Sequence, residues 1–256
     1  MMLDNRCNHE QWTIRNIMVD LPDIKEFDML VFDVDGTLLD FEGFHDELVY
    51  LARKVDSEIM TISLASGRTL PNITPIKQSL GISGFIVAEN GGIIWDSDQG
   101  RDIVSLSDGL RAKEAAKWLS TKIDNLDPRG IESNLWRTTE WCLKETQHWE
   151  EIRDILAQSE WKDLDVVSTG FAVHIADPSI NKRKGLEIAL EQRKINPRRI
   201  IACGDADNDV PMFNLAGLAV AVNDESEEVK NSADIITNKR GKNGAVELLK
   251  AILGNY

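Results

Sequence analysis

Cysteine is scarce in this 256-residue sequence, and its distribution excludes several kinds of site. The three cysteines, Cys7, Cys142 and Cys203, lie far apart and form neither a Cys-x-x-Cys motif nor a Cys/His group with zinc-ligand spacing. This pattern argues against a disulfide framework and against a structural zinc site. It is typical of a protein in a reducing compartment.

Long apolar runs and an excess of positive charge are also absent. No apolar stretch reaches the roughly 18 residues of a membrane span, and the opening MMLDNRCNHEQW lacks the charged-then-apolar order of a signal peptide. The formal net charge of -14 argues against nucleic acid and membrane as partners, because both attract basic surfaces. A small anionic substrate stays compatible with this charge, since a metal ion can reverse the local field. We therefore expect a cytoplasmic protein.

Short apolar runs alternate with longer stretches of helical periodicity, which predicts an α/β fold. We expect a Rossmann-like core with a doubly wound parallel sheet. After Ser97 two helical and two strand-like segments predict an inserted α+β domain, and GFAVHIA at 170–176 predicts a strand that returns to the core. The predicted parts are an N-terminal extension without an assigned function, two core segments and the insert: 1–26, then 27–96 with 171–256, and 97–170.

Four polar signals follow predicted core strands or open predicted helices. They are Asp33-Val34-Asp35-Gly36-Thr37, Ser66-Gly67-Arg68, Lys182 and Gly204-Asp205-Ala206-Asp207-Asn208-Asp209. Each alone is compatible with a turn, a helix cap or a solvated side chain. Reactive groups in parallel α/β sheets collect beyond the carboxyl ends of the strands, where loops and helix N-termini converge. The four signals together therefore predict one site.

These motifs resemble those of the haloacid dehalogenase superfamily of phosphotransferases. DVDGT is similar to the first motif of that family, SGR to the second, the lysine to the third and GDADND to the fourth, and the resemblance covers residues 27–254. The insert between the second and third motifs, together with AENGG at 88–92, resembles the branch with a C2-type cap (Cof-type, IIB). Within that branch the chain is most similar to archaeal-type phosphoglycolate phosphatases.

The resemblance implies a phosphatase mechanism with a covalent intermediate. Asp33 would attack phosphorus to give an aspartyl-phosphate, which divides one difficult displacement into two easier ones. Asp35 would protonate the leaving alkoxide and then take a proton from the hydrolytic water. Ser66, the amide of Gly67 and Lys182 would bind the transferred phosphoryl group.

The resemblance also implies a Mg2+ site. Its ligands would come from Asp33, Asp35, Asp205 and Asp209, with the backbone carbonyl of Val34 as a further oxygen donor. Magnesium prefers an octahedral shell of oxygen atoms that retains waters, so a few carboxylates suffice. The cation would also lower the cost of bringing an anionic nucleophile to an anionic substrate.

Three further residues would support the site, and one assignment stays open. Asn208 would orient the metal ligands, Asn90 would steady the loop, and Arg68 would reach a substrate carboxylate or the insert. Lys182 is similar to the functional lysine of the third motif, but Arg183 stands where glycine is usual, so Lys184 is the alternative. We treat His148 and His174 as structural, because neither has a partner at a recognisable spacing.

The most favoured activity is Mg2+-dependent hydrolysis of 2-phosphoglycolate to glycolate and phosphate. A broad-specificity sugar-phosphate phosphatase and a mannosyl-3-phosphoglycerate-type phosphatase are alternatives, as are a phosphomutase and a non-catalytic phosphometabolite sensor. The expected partners are a small phosphorylated metabolite and a second copy of the chain in a homodimer.

Overall fold

The computed structural model describes residues 20–100, 102–144, 148–169 and 172–254. Most of the predicted N-terminal extension, residues 1–19, lies outside the described residues. Its last part contains a short 3-10 helix, Ile24–Glu26, whose Ile24 side chain is buried in the core. No helix in the described ranges is long and apolar enough to cross a bilayer.

Strands and helices alternate along the described chain. The strands are β1 (Met29–Phe32), β2 (Leu39–Asp40), β3 (Gly43–Phe44), β4 (Thr61–Ala65), β5 (Ile86–Ala88), β6 (Ile93–Trp95), β7 (Ile103–Ser105), β8 (Glu140–Leu143), β9 (Asp165–Ser168), β10 (Val173–Ala176), β11 (Ile200–Gly204), β12 (Leu218–Ala221) and β13 (Ile235–Ile236). The helices are α1 (Leu48–Glu58), α2 (Leu70–Leu80), α3 (Leu110–Leu119), α4 (Trp149–Ala157), α5 (Lys182–Arg193), α6 (Val210–Phe213), α7 (Glu227–Ser232) and α8 (Gly241–Gly254).

The main sheet has the strand order β13-β12-β11-β1-β4-β5-β6-β7. Its strands are parallel from β13 to β5, and β6 and β7 extend it in antiparallel pairing. The central strand β1 is buried on both faces: Leu30 and Phe32 pack in the cluster that includes α1, α2 and α8, whereas Met29 and Val31 pack in the cluster that includes α5, α6 and α7. Helices on both faces of a mainly parallel sheet confirm the predicted α/β class.

A smaller unit, which we call the cap, comprises residues 110–176 from α3 to β10. Its three-stranded antiparallel sheet has the order β8-β10-β9. Apolar residues of α3 and α4 pack against Leu143, Val173 and Ile175 on one face of that sheet. The cap thus has an apolar cluster of its own and combines helices with an antiparallel sheet.

Two segments pair with a different sheet from the one predicted. The strand in 170–176 was expected to return to the core, but β10 is the central strand of the cap sheet. Conversely β7, within the expected insert, is the edge strand of the main sheet. A short apolar run indicates that a strand forms, but it does not indicate which neighbour provides its hydrogen bonds.

Candidate active site

Three adjacent strands of the main sheet, β11, β1 and β4, bring three of the predicted signals to one edge. Asp205 follows β11, Asp33 follows β1 and Ser66 follows β4. The backbone N–H of Asp33 donates to the carbonyl of Cys203 at 2.8 Å, so the sheet ladder continues up to this aspartate. The position of its side chain is therefore set by the rigid centre of the sheet.

Three carboxylates form the centre of the site. One oxygen of each of Asp33, Asp205 and Asp209 lies within 4.8 Å of the others, and Asp209 is fully buried. Burial raises the pKa of Asp33 well above its ordinary value, against the opposing effect of Lys182. Burial and the nearby Asp209 carboxylate raise the pKa of Asp205 to about 7. The raised values indicate that an additional cation would stabilise the ionised cluster.

Lys182 lies against two of these carboxylates. Its side chain is completely buried, and Nζ donates to Asp33 Oδ1 and Asp209 Oδ1, each at 2.5 Å. Burial alone would lower the pKa of Lys182, but Asp209 and Asp33 raise it above its ordinary value. Lys184, the alternative, is exposed on α5 and does not enter the cluster.

The start of α5 brings Lys182 into this position. Asn181 caps the helix by accepting the amide N–H of Lys184 at 3.0 Å. Gly185 lies one turn further along, where a Cβ atom would approach Val87 Cγ1 to 2.6 Å and the Gly91 backbone to 2.8 Å. The small residue lets the helix pack closely against the core.

The turn after β1 is built around Asp205. Gly36 has φ +83°, and a Cβ atom there would lie 2.3 Å from Asp205 Oδ2. The buried Thr37 hydroxyl donates to Asp205 Oδ1 at 2.9 Å. Glycine therefore allows the close approach and the left-handed conformation, while threonine orients the carboxylate. Thr37 belongs to the quoted motif but was not among the predicted site residues.

The loop of the fourth signal, residues 204–209, is held by hydrogen bonds between the Asp209 carboxylate and the backbone of the same loop. Asp209 Oδ2 accepts the amide N–H groups of Asp205 at 2.9 Å and Ala206 at 3.1 Å. A Cβ atom on Gly204 would lie 2.4 Å from the same oxygen. One oxygen of Asp209 thus fixes the loop, and the other faces Lys182.

Asp35 lies apart from the three-carboxylate cluster. Its carboxylate accepts Arg68 Nε at 2.8 Å and Nη2 at 2.6 Å, and both side chains are about one-third exposed (31% and 34%). The expectation that the Val34 carbonyl binds the metal is wrong, because that oxygen accepts the amides of Leu38 and Leu39, each at 2.9 Å. The local turn occupies both of its lone pairs.

Asn90 joins two of the predicted loops. The Ser66 hydroxyl accepts the Arg68 amide at 3.2 Å, and the Asn90 amide donates to the Ser66 carbonyl at 3.0 Å. The Asn90 side chain lies over Gly67, where a Cβ atom would approach Oδ1 to 3.1 Å, and Asn208 Nδ2 donates to that oxygen at 3.3 Å. Ser66, Gly67, Asn90 and Asn208 are thereby brought together.

Arg137 of the cap contacts the loop that contains Ser66 and Gly67. Its guanidinium forms an ion pair with Glu140, and Nη1 also donates to the Gly67 carbonyl at 3.1 Å. The side chain is 3% exposed, and the buried Nε–H has no hydrogen-bond acceptor among the described residues. Sequence reasoning missed both residues, because the run RTTE at 137–140 shows neither a motif nor a period.

Glu89 forms a second contact between core and cap. It is 1% exposed, and its carboxylate accepts the amides of Thr138 and Thr139 and the Thr139 hydroxyl at distances from 2.7 to 3.1 Å. Burial raises the pKa of Glu89 against these hydrogen bonds, which lower it. The motif AENGG marks this loop in the sequence, but it does not identify the partners in the cap.

Comparisons with known proteins agree with the geometry. The model of the family described as haloacid dehalogenase-like hydrolase matches residues 30–127 and 114–249. A phosphoglycolate phosphatase of Methanopyrus kandleri is 30% identical over 229 residues, covering 88% of this chain and 97% of the relative. A phosphoglycolate phosphatase of Haloarcula marismortui is 31% identical over 227 residues, covering 85% of this chain and 94% of the relative.

A solved structure from Thermoplasma acidophilum has a similar fold. The two chains superpose with a TM-score of 0.78 at 21% identity, and the match covers 89% of this chain and 98% of that one. The family resemblance expected from the four motifs is confirmed, and the chain belongs to the haloacid dehalogenase-like hydrolases.

Proposed function

We propose that the protein is a Mg2+-dependent phosphomonoesterase and that its substrate is 2-phosphoglycolate. The observation that carries the proposal is the fully buried Lys182, hydrogen-bonded to Asp33 and Asp209 at the carboxyl edge of a parallel sheet. A solvated lysine serves solubility, whereas a buried one held between carboxylates is arranged to stabilise negative charge at a fixed point.

Asp33, Asp205 and Asp209 would hold the metal ion. Three carboxylates against one lysine leave an excess of negative charge, and hard oxygen donors suit Mg2+ better than a softer ion. Thr37 keeps Asp205 turned toward the cluster. The bound ion would stabilise charge on the phosphoryl oxygens.

The nucleophile is Asp33. Attack of one of its oxygens on phosphorus forms the aspartyl-phosphate and releases the alkoxide of the substrate. Lys182, which contacts Asp33, offsets the negative charge that develops on the transferred group. The Ser66 hydroxyl accepts one hydrogen bond from Arg68 and retains its own hydrogen for a phosphoryl oxygen.

Asp35 transfers the protons, to the leaving alkoxide and from the attacking water. It is partly exposed and therefore accessible both to a leaving group and to water. Its two bonds to Arg68 hold the carboxylate in one orientation, and they must loosen as the carboxyl group takes up a proton. Arg68 would then be released toward the substrate.

The substrate assignment rests on the relatives and on two guanidinium groups. The two curated relatives described above are named phosphoglycolate phosphatases. Arg68 follows Gly67 in the chain and Arg137 donates to the Gly67 carbonyl, and guanidinium groups bind carboxylates in a planar, bidentate geometry. A leaving group that carries a carboxylate suits such a site better than a neutral sugar does.

Asp33→Asn tests the reaction. The variant should release no phosphate from 2-phosphoglycolate in the presence of Mg2+, while its circular dichroism and thermal unfolding match those of a folded protein. Asp207→Asn is the matched control, because Asp207 lies exposed in the loop that carries Asp205, and this variant should keep its activity. Unchanged turnover in Asp33→Asn would refute the mechanism.

A panel of two- to six-carbon phosphate esters, assayed with Mg2+ and again after chelation, tests the substrate and the metal. Preference for phosphoglycolate that disappears on chelation supports the proposal. A flat profile would favour a broad-specificity sugar-phosphate phosphatase. Transfer of phosphate to a second sugar hydroxyl would indicate a phosphomutase, and binding without turnover would indicate a sensor.

A further inference from the structure

A buried polar cluster lies on the cap sheet, on the face opposite the apolar cluster of the cap. Glu140 and Cys142 are two residues apart on β8 and share a face, and His174 on β10 pairs directly with Cys142. All three side chains are buried. His174 was expected to be structural and without a partner, and no motif or spacing relates it to Glu140 and Cys142.

The hydrogen bonds of His174 define what its ring nitrogens face. The Thr169 hydroxyl lies 3.3 Å from the Ala172 carbonyl and 3.2 Å from His174 Nε2, so it can form a hydrogen bond with that ring nitrogen. The other nitrogen, Nδ1, lies 3.0 Å from Glu140 Oε2 and 3.2 Å from Cys142 Sγ. Nδ1 therefore faces a carboxylate oxygen and a sulfur, which are two atoms that can bind a metal ion together with an imidazole nitrogen.

The spacing of the three atoms suits a metal ion. Tetrahedral zinc with nitrogen, sulfur and oxygen ligands places its donor atoms about 3.3–3.6 Å apart. The distances from Nδ1 to Oε2 and to Sγ, 3.0 and 3.2 Å, are a few tenths of an ångström shorter than these, and Cys142 Sγ lies 4.0 Å from Glu140 Oε1. Thr169 lies within hydrogen-bonding distance of the remote ring nitrogen, where its hydroxyl oxygen can accept the N–H of a metal-ligating histidine.

We propose that Glu140, Cys142 and His174 form a binding site for a zinc-class divalent ion at the contact between cap and core. Asn90 of the core lies next to the three side chains, and its side-chain nitrogen Nδ2 is 3.3 Å from both Glu140 Oε2 and His174 Nδ1. Thiolate and imidazole ligands favour Zn2+ over Mg2+, so the ion differs from the one bound by Asp33, Asp205 and Asp209. Nothing in this proposal depends on the phosphatase reaction.

The surrounding charges are compatible with a bound dication. The ion and Arg137 would supply three positive charges, and the Cys142 thiolate with the buried carboxylates of Glu89 and Glu140 would supply three negative ones. Burial raises the pKa of the Cys142 thiol well above its ordinary value. The thiol therefore stays protonated until a metal ion displaces its hydrogen, because coordination deprotonates a thiol outright.

Cobalt titration tests the proposal in the full-length protein. Co2+ is added with Mg2+ in large excess, so that the carboxylate cluster is filled with Mg2+. One equivalent of Co2+ should produce the near-ultraviolet sulfur-to-cobalt charge-transfer band, and Zn2+ should remove it. Co2+ binding to the wild-type protein without that band, or no Co2+ binding at all, would overturn the proposal.

Variants assign the ligands. Cys142→Ser and His174→Gln should abolish the band, whereas Asp33→Asn and the double variant Cys7→Ser/Cys203→Ser should keep it. Thr169→Val should weaken Co2+ binding about 10–100-fold, as expected for loss of a residue that orients a ligand. A band that persists in Cys142→Ser would assign the thiolate elsewhere and overturn the site.

Discussion

Lys182→Met keeps an unbranched side chain of similar length but removes the ammonium group that contacts Asp33 and Asp209. The lysine and Asp209 are fully buried, so the variant leaves buried carboxylates without their cation. Removing one partner of a buried ion pair typically costs about 3–5 kcal/mol. For a chain of this size each kcal/mol corresponds to about 2–4 °C, so Tm should fall by about 6–20 °C.

Differential scanning calorimetry of Lys182→Met beside Lys184→Met measures this effect. Lys184 is on the same helix two residues away, is exposed and makes no ion pair with the cluster, so its replacement should change Tm little. Mg2+ should stabilise Lys182→Met more than it stabilises the wild-type protein, because the ion then supplies charge that the lysine no longer provides. Phosphate release should be lost in Lys182→Met and retained in Lys184→Met.

Equal unfolding temperatures for the two variants would refute the reasoning, since they would mean that Lys182 does not carry a buried charge. If Lys182→Met has a lowered Tm but hydrolyses phosphoglycolate at the normal rate, the lysine stabilises the fold without taking part in catalysis. The lysine would then be structural, and the proposed stabilisation of the phosphoryl group would be wrong.

Three further changes test other parts of the site and fold. Gly36→Ala introduces a Cβ atom 2.3 Å from Asp205 Oδ2 at φ +83°, so Mg2+ affinity and activity should fall together in calorimetric and kinetic titrations. Thr37→Val removes the hydrogen bond to Asp205 and should weaken Mg2+ binding about 10–100-fold, measured by calorimetry. Burial raises the pKa of Asp96, but the bonds and charge of Arg193, the amide of Asp98 and the charge of Lys77 together leave the pKa below its ordinary value. The pair therefore contributes stability that is present above the unfolded pKa of about 3.9 and is lost as pH falls through the folded pKa, so Asp96→Asn should flatten the acid side of the stability profile.

The centre of the site could be predicted because a parallel sheet determines where its strands end. Asp33 and Lys182 are separated by 149 positions in the chain, yet each lies at an end of an element whose pattern is readable. The strand before Asp33 is a continuous apolar run, and the helix that begins at Lys182 carries apolar residues at Leu186, Ala189 and Leu190. Local patterns and the sheet topology were sufficient for the aspartates, whereas the choice of Lys182 over Lys184 rested on the resemblance to the third family motif.

The contacts between cap and core could not be predicted in the same way. Arg137 reaches the Gly67 carbonyl across 70 positions, and no periodicity relates the two residues. The strand β10 was assigned to the wrong sheet for the same reason, because its apolar residues suit either sheet. The Val34 carbonyl was wrongly assigned as a metal ligand, because the motif can be recognised from the sequence but the hydrogen bonds of the turn that follows it cannot.

Backbone strain in the loop after β5 indicates how cap and core act together. Glu89 and Asn90 both have positive φ, 51° and 52°, a conformation that costs a residue with a Cβ atom about 1–2 kcal/mol. Such strain persists where surrounding contacts over-determine the backbone. Glu89 is held through its carboxylate by Thr138 and Thr139 of the cap, and its own amide donates to the Arg68 carbonyl at 2.9 Å. The same short loop is therefore hydrogen-bonded both to the cap and to the Arg68 carbonyl, so we expect a displacement of the cap to move the backbone at Arg68.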